Sequence, residues 1–365
     1  MCHSQINGGR DEEKFMKRMY SESDIYAANS YRKDYLIGVQ SFTDELAAHN
    51  YNERAARITP KNFSENCEYF RKQLSDMLGY PLNAYEYGVP HAEKTFVGSD
   101  DYCDIYRLCI NTTGKLKFYG ILTLPRAKAE RYPLLIAQHG GGGTPELLCD
   151  MHGDNNYSHI SKIASENGFA VFAPQLLLWN FNVGDRISYG QELNFERGRL
   201  NTYLCQNGSS IVALEIYNLR KAVDYLESLD FIDETKIGMI GLSYGGFYTL
   251  YTAALEKRIK AAYSCAAFND LNRQGCFDWH FCNSNRILQD AEVAALCAPR
   301  ALFMDVGKND EVFDAEPAIA EAQRAEALYK ACKGNGIFGF NLWEGGHRID
   351  VNGPYLNEFF NIIKE

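Results

Sequence analysis

No stretch of this 365-residue chain reaches the 18 or so continuous apolar residues that cross a membrane. Residues 1–20 are polar and charged, without the apolar centre or small-residue cleavage site of an export signal. Basic clusters are also missing. Lys and Arg number 37 against 47 Asp and Glu, giving a formal net charge of −10. Phosphate recognition needs gathered Lys and Arg, so a nucleic-acid binder is disfavoured. The eleven cysteines, an odd number, contain no CxxC pair, which argues against a disulfide framework and against a structural zinc site. Cys265, Cys297 and Cys332 lie in apolar stretches, where a free thiol packs as a small hydrophobe. Internal repeats and low-complexity segments are absent. The expectation is a soluble, cytoplasmic chain with reduced thiols, no metal, no cofactor, and neither nucleic acid nor membrane as partner. A homo-oligomer is left open. Asn62, Asn111, Asn156 and Asn207 each begin an N-x-S/T triplet, which matters only in an exported protein.

What is present is an ordinary globular composition, 46% hydrophobic and 23% charged, enough for a large core. Residues 1–92 are rich in Tyr, Asn, Glu, Lys and Arg and read as a helical N-terminal extension. Within it, Cys67, Phe70, Leu74 and Leu78 recur at helical spacing, with Gly79 and Pro81 as stop signals. The catalytic domain is expected over 93–365. It opens with three alternating segments, 93–97, 102–111 and 115–124, which read as an antiparallel meander. After Pro133 apolar strands alternate with helices, at 134–138, 169–173, 237–242, 259–266, 300–306 and 338–343. Such βα units imply a mostly parallel central sheet with helices on both faces, an α/β class whose ligands gather at the carboxyl ends of the strands. Residues 176–207 are too long for a plain βα connection and read as an insertion at that edge.

Gly241-Leu242-Ser243-Tyr244-Gly245 is a G-x-S-x-G between a strand and a helix. Composition alone would supply about 0.1 such matches, so the context carries the weight. A sharp strand–turn–helix elbow lifts a serine hydroxyl clear of the sheet and sets it at a helix N-terminus, where negative charge is favoured. Ser243 is the expected nucleophile. His139-Gly140-Gly141-Gly142-Gly143 follows the strand at 134–138. It lacks the Lys-Ser/Thr of a P-loop and suits an oxyanion hole, with N–H donors from Tyr244 and from Gly141 or Gly142. A serine needs a base, and the base needs a carboxylate. His347, in Glu344-Gly345-Gly346-His347 after the last strand, is the base among eight histidines. Asp310, in the loop after the strand at 300–306, is the acid, ahead of Asp305 and Asp314. The order Ser, Asp, His is the one expected of this arrangement. His139 is expected mainly to order its loop. His280, and Trp179 and Phe181 in the insertion, are candidates for binding substrate.

These pieces resemble the α/β-hydrolase superfamily over residues 95–365, and within it the dienelactone-hydrolase-like and acetyl-xylan-esterase-like branch. The likeness rests on His139-Gly140-Gly141, Gly241-Leu242-Ser243-Tyr244-Gly245-Gly246, Ala298-Pro299-Arg300 and Gly345-Gly346-His347. Dienelactone hydrolases carry a Cys nucleophile where this chain has Ser243. The Ser-Tyr-Gly-Gly elbow is also similar to that of prolyl-oligopeptidase-type peptidases, which add a large β-propeller that the helical segment ahead of this fold does not match. The resemblance implies a carboxylic ester hydrolase without a cofactor, acting on a small-molecule or carbohydrate ester such as an acetyl ester. A peptidase or amidase on the same triad is the alternative. A non-catalytic binding protein on the same fold ranks last, because all three triad positions are filled.

Overall fold

The structure is a computed structural model that describes residues 20–178, 189–273 and 276–365. The chain divides into two compact units, Met1–Asn52 and Glu53–Glu365. The first holds α1 (Glu22–Ala27), whose start is closed by a reciprocal cap between Ser21 and Asp24. It also holds most of α2 (Asn29–Arg57).

Beyond the end of α2, the second unit holds two short helices, the second of which is the one its spacing indicated. Thr59 caps α3 (Pro60–Glu65), and Asn66, at φ −131°, breaks the helical path before α4 (Cys67–Leu78). Phe63, Phe70, Leu74 and Leu78 are all buried, as their spacing requires. These helices fall in the same compact unit as the sheet, Glu53–Glu365.

Nine strands follow. The meander is β1 (Ala92–Ser99), β2 (Cys103–Thr113) and β3 (Leu116–Pro125). The remaining strands are β4 (Tyr132–Gln138), β5 (Ala170–Pro174), β6 (Ile232–Leu242), β7 (Ile259–Cys265), β8 (Ala301–Gly307) and β9 (Phe338–Trp343). They form one sheet in the order β1-β2-β3-β5-β4-β6-β7-β8-β9. Pairing is antiparallel from β1 to β5 and parallel from β5 through β9.

Helices α5 (Pro145–Leu148) and α6 (Ile160–Glu166) connect β4 to β5, and α7 (Tyr189–Gln206) and α8 (Ile211–Leu226) connect β5 to β6. Then come α9 (Tyr244–Leu255), α10 (Ser284–Ile287), α11 (Asp290–Ala295), α12 (Ala315–Ala331) and α13 (Leu356–Lys364). Side chains alternate across a strand, and the two cores divide accordingly. Leu134, Ile136, Met239, Leu302 and Met304 face the core that α4, α8, α9, α11 and α12 complete. Leu135, Ala137, Ile240, Tyr263 and Phe303 face the one closed by α6 and α13. Both faces of the parallel strands are thus covered, which explains why those strands read as continuous apolar runs.

Within residues 176–207, α7 fills more than half of the segment and carries a buried arginine, described below.

Candidate active site

The carboxyl ends of β4, β6, β8 and β9 lie along one edge of the sheet, and each leads into one piece of the candidate site. At the end of β6 the chain turns through Ser243 at φ 59° and ψ −123° and enters α9 at Tyr244. A non-glycine residue with φ in that range is strained and persists only where its surroundings hold it. Three contacts do so. Ser243 N–H donates to the Cys265 carbonyl at 2.8 Å. A Cβ on Gly245 would stand 2.1 Å from the Gln138 carbonyl oxygen, and one on Gly241 would stand 2.3 Å from the Gly245 oxygen. Only glycine lets β4, β6 and α9 approach this closely.

The loop after β4 rests on that elbow. A Cβ on Gly140 would lie 2.9 Å from the Leu242 oxygen and 3.2 Å from Ser243 Cβ. Most of its N–H groups are committed. Gly140 donates to the Tyr157 hydroxyl at 3.0 Å, and Gly143 to the Gly140 carbonyl at 3.2 Å. Gly142 donates to the Leu178 carbonyl at 2.6 Å, which takes it out of the expected donor pair. Gly141 is left as the loop glycine with no N–H partner among the described residues. Its Cα faces the Tyr244 ring, 3.4 Å from where its Cβ would be. Tyr244 N–H belongs to the unpaired first turn of α9. These two N–H groups are open donors at the elbow.

His347 and Asp310 meet on the adjoining loops. His347 Nδ1 lies 2.9 and 3.1 Å from the two Asp310 carboxylate oxygens. The Asp310 side chain is 1% exposed and also accepts the N–H groups of Val312 and Phe313 at 2.8 and 3.0 Å. Burial alone would raise this carboxyl. The bonds from His347 and from the two N–H groups outweigh burial and hold it below the usual carboxylate range. Phe313 stands beside the imidazole, ring centres 5.6 Å apart, and Asn156 donates to the His347 carbonyl at 3.0 Å. The other carboxylates lie elsewhere. Asp305 is buried within β8, bonded by Tyr263 at 2.7 Å and Asn341 at 3.0 Å, and burial pushes it up to about 7. Asp314 opens α12.

Two histidines named from the sequence serve the backbone. His139 is 0% exposed. Its Nδ1 donates to the Gly140 carbonyl at 2.8 Å, and its Nε2 accepts the Leu176 N–H at 3.1 Å. Burial pushes this imidazole down to about 4, which keeps it neutral and suited to that pair of bonds. His280 sets its two ring nitrogens 2.9 Å from the carbonyls of Cys276 and Leu271, pinning its own loop. Trp179 and Phe181 lie outside the described residues.

Behind the elbow is a buried charge cluster that the sequence reading missed. Arg197, on α7 and 1% exposed, donates to both Glu215 oxygens at 3.0 Å and to Asp278 at 2.9 Å. It also reaches the Tyr248 hydroxyl at 2.9 Å. The Tyr244 hydroxyl donates to the other Asp278 oxygen at 2.8 Å. Burial opposes the guanidinium charge, and Glu215, Tyr248 and Asp278 overcome it. Trp279 stacks on Phe247 at 4.4 Å and on Phe313 at 6.0 Å, packing the side of the site. The signal was adjacent to a residue already singled out, since Asp278 and Trp279 immediately precede His280. A cleft of about 420 Å³ opens beside Gly141, lined also by Leu147, Asp154, Asn155, Asn156 and Arg348. Among the described residues no group of three or more His, Cys, Asp or Glu is placed to hold a metal ion. No helix described is long and apolar enough to cross a membrane.

Comparison with known proteins agrees with this fold. Residues 214–290 match the prolyl oligopeptidase family. A Bacillus subtilis protein named "Putative hydrolase YtaP" is 23% identical over 275 residues, covering 71% of this chain and 86% of the relative. The acetyl xylan esterase 1 of Thermoanaerobacterium sp. superposes with a TM-score of 0.55 at 17% identity, over 82% of this chain and 94% of that one. The glucuronoyl esterase of Solibacter usitatus does so with a TM-score of 0.56 at 13% identity, over 84% and 93%. At such identities the likeness is one of fold. The chain shares the fold of these two solved esterases over most of its length.

Proposed function

We propose that the protein is a serine hydrolase that cleaves a carboxylic ester through an acyl-enzyme, with a carbohydrate acetyl ester as the substrate class. The observation that carries this reading is the strained Ser243 at the head of α9, on the same sheet edge as the bonded His347–Asp310 pair. Ser243 Oγ attacks the ester carbonyl as His347 takes its proton, and Asp310 holds Nδ1–H and the charge that forms on the ring. The N–H groups of Tyr244 and Gly141 receive the oxyanion. The alcohol leaves with the proton from His347, and water then releases the acid by the same steps. The acetyl and carbohydrate part of the reading draws on the names of the fold relatives. It also draws on the cleft beside Gly141, where Asp154, Asn155 and Arg348 could bond a hydroxyl-rich alcohol.

Fluorophosphonate labelling tests it. The wild type should label and Ser243→Ala should neither label nor turn over acetyl esters, while keeping its melting temperature. Labelling of the alanine variant at the wild-type rate would remove Ser243 from the role. Asp310→Asn should lower kcat by about 10³ to 10⁴ through the wrong imidazole tautomer, with Asp305→Asn close to wild type. The reverse pattern would make Asp305 the acid. The match of residues 214–290 to a peptidase family supports a second reading, cleavage of an amide. Matched p-nitrophenyl acetate and p-nitroacetanilide separate the two.

A further inference from the structure

Two cysteines far apart in the chain stand face to face on the side of the molecule away from this chemistry. Cys67 is the first residue of α4, and Cys332 is the residue that ends α12. Their sulfur atoms are 3.5 Å apart, across a sequence separation of 265. Both are half-buried. Cys332 leaves the helix at ψ 144°, and its N–H is taken by the Tyr329 carbonyl at 3.0 Å. Cys67 sits in the first turn of a 12-residue helix, where free N–H groups favour a thiolate. Arg71, one turn on, is anchored to the Leu296 carbonyl at 2.9 Å and adds a fixed positive charge nearby.

We propose that Cys67 and Cys332 form a reversible disulfide that fastens the α3–α4 corner to the end of α12. The oxidant is a small disulfide such as oxidised glutathione. The Cys67 thiolate attacks one glutathione sulfur, the S–S bond breaks, and the first glutathione leaves as a thiolate that takes up a proton. Cys332, losing its proton to water, then attacks the Cys67 sulfur and expels the second glutathione. Two protein thiols are oxidised by two electrons and one glutathione disulfide is reduced to two thiols, so the step balances. The environments fit this division of labour. The bond from Cys332 is the main influence that brings Cys67 down to about 7, against the opposing effect of burial, with Arg71 adding to it. Cys332 is pushed up chiefly by the Cys67 thiolate. That influence disappears once Cys67 is capped, which frees Cys332 to act as the resolving thiol.

The location decides the consequence. Helix α12 is the crossover from β8 to β9. The loops carrying Asp310 and His347 lie at the carboxyl ends of those strands, whereas Cys332 precedes β9 and so lies toward its amino end. The bond therefore restrains the unfolded chain and leaves the catalytic geometry untouched. A closure of this length is the kind for which a disulfide has its largest effect on stability.

The full chain, reduced and then equilibrated in oxidised glutathione, tests the proposal by alkylation and tryptic mapping. Cleavage after Lys61, Arg71, Lys330 and Lys333 isolates the pair as peptide 62–71 joined to peptide 331–333. The joined peptides should dominate and should separate on adding dithiothreitol. The oxidised protein should melt higher by roughly 5 °C or more. Cys67→Ser and Cys332→Ser should each lack the joined peptide and the shift, with ester hydrolysis unchanged. The exposed Cys205 and Cys282 report whether the oxidant has acted. Glutathione on those two without a 67–332 link would overturn the proposal, as would a link that leaves the melting temperature where it was.

Discussion

Two segments leave the same edge of the sheet from neighbouring strands, and they are held in place by opposite means. The loop after β4 is fixed by backbone: Gly140 against Leu242 and Ser243, and Gly245 of the elbow against Gln138, at separations no side chain allows. The segment after β5 is fixed by side chains. Arg197 on α7 enters a pocket of two carboxylates and a phenol, and nothing in the spacing of residues 176–207 marks it as different from a surface arginine. Backbone proximity restricts which residue can stand at a position, so it leaves a trace in one sequence. A charge cluster drawn from positions 197, 215 and 278 leaves none, because each member alone is an ordinary polar residue.

The contrast yields unequal losses. Gly245→Ala breaks the backbone-built side, placing a methyl group 2.1 Å from the Gln138 oxygen and 2.9 Å from the His139 oxygen. The elbow and the glycine loop must then part, and kcat/KM for an acetyl ester should fall by at least about 10². Normal kinetics would show that the close approach is not what sets the elbow. Arg197→Met breaks the other side. It leaves Glu215 and Asp278 buried without their cation, at a cost of about 3–5 kcal/mol in urea unfolding. Because the elbow does not rest on Arg197, kcat in the folded fraction should stay within about tenfold of wild type. A variant of full stability but negligible kcat would reverse the comparison and make the arginine part of the catalytic apparatus.

The same distinction explains what the sequence disclosed. The strands read as continuous apolar runs because both faces are buried, and they were found to within a few residues, with β6 beginning at Ile232 and not at 237. The elbow, the glycine loop and the His347 turn stood out because each carries glycines at a strand end. The short α3 was hidden, since it buries only Phe63 and ends at Asn66, whereas α4 was legible from the spacing of Cys67, Phe70, Leu74 and Leu78. Loss of Gly142 as a donor was hidden too. Its N–H is taken by Leu178, a partner 36 positions away that no local pattern announces. His139, which begins the glycine run and reads mainly as ordering its loop, engages the Gly140 carbonyl and the Leu176 N–H with its two nitrogens.

The smallest expected effect comes from a side chain that joins the elbow to the charge cluster. Tyr244 lends its N–H to the elbow and its hydroxyl to Asp278. Tyr244→Phe removes only the hydroxyl. Asp278 keeps Arg197, bonded at 2.9 Å through Nε, so no carboxylate is stranded and the loss of stability should be about 1 kcal/mol. The N–H stays where the glycines of the elbow hold it, so kcat should change by less than about threefold and KM not at all. Combined with Arg197→Met, the two changes should fall short of adding in stability, because both act on Asp278. In kcat they should remain small singly and together. A fall of 10² or more in kcat for Tyr244→Phe alone would mean that the buried charge cluster, through Asp278, aims the oxyanion donor. The backbone and side-chain devices would then be one mechanism, and the contrast between the two segments would have to be given up.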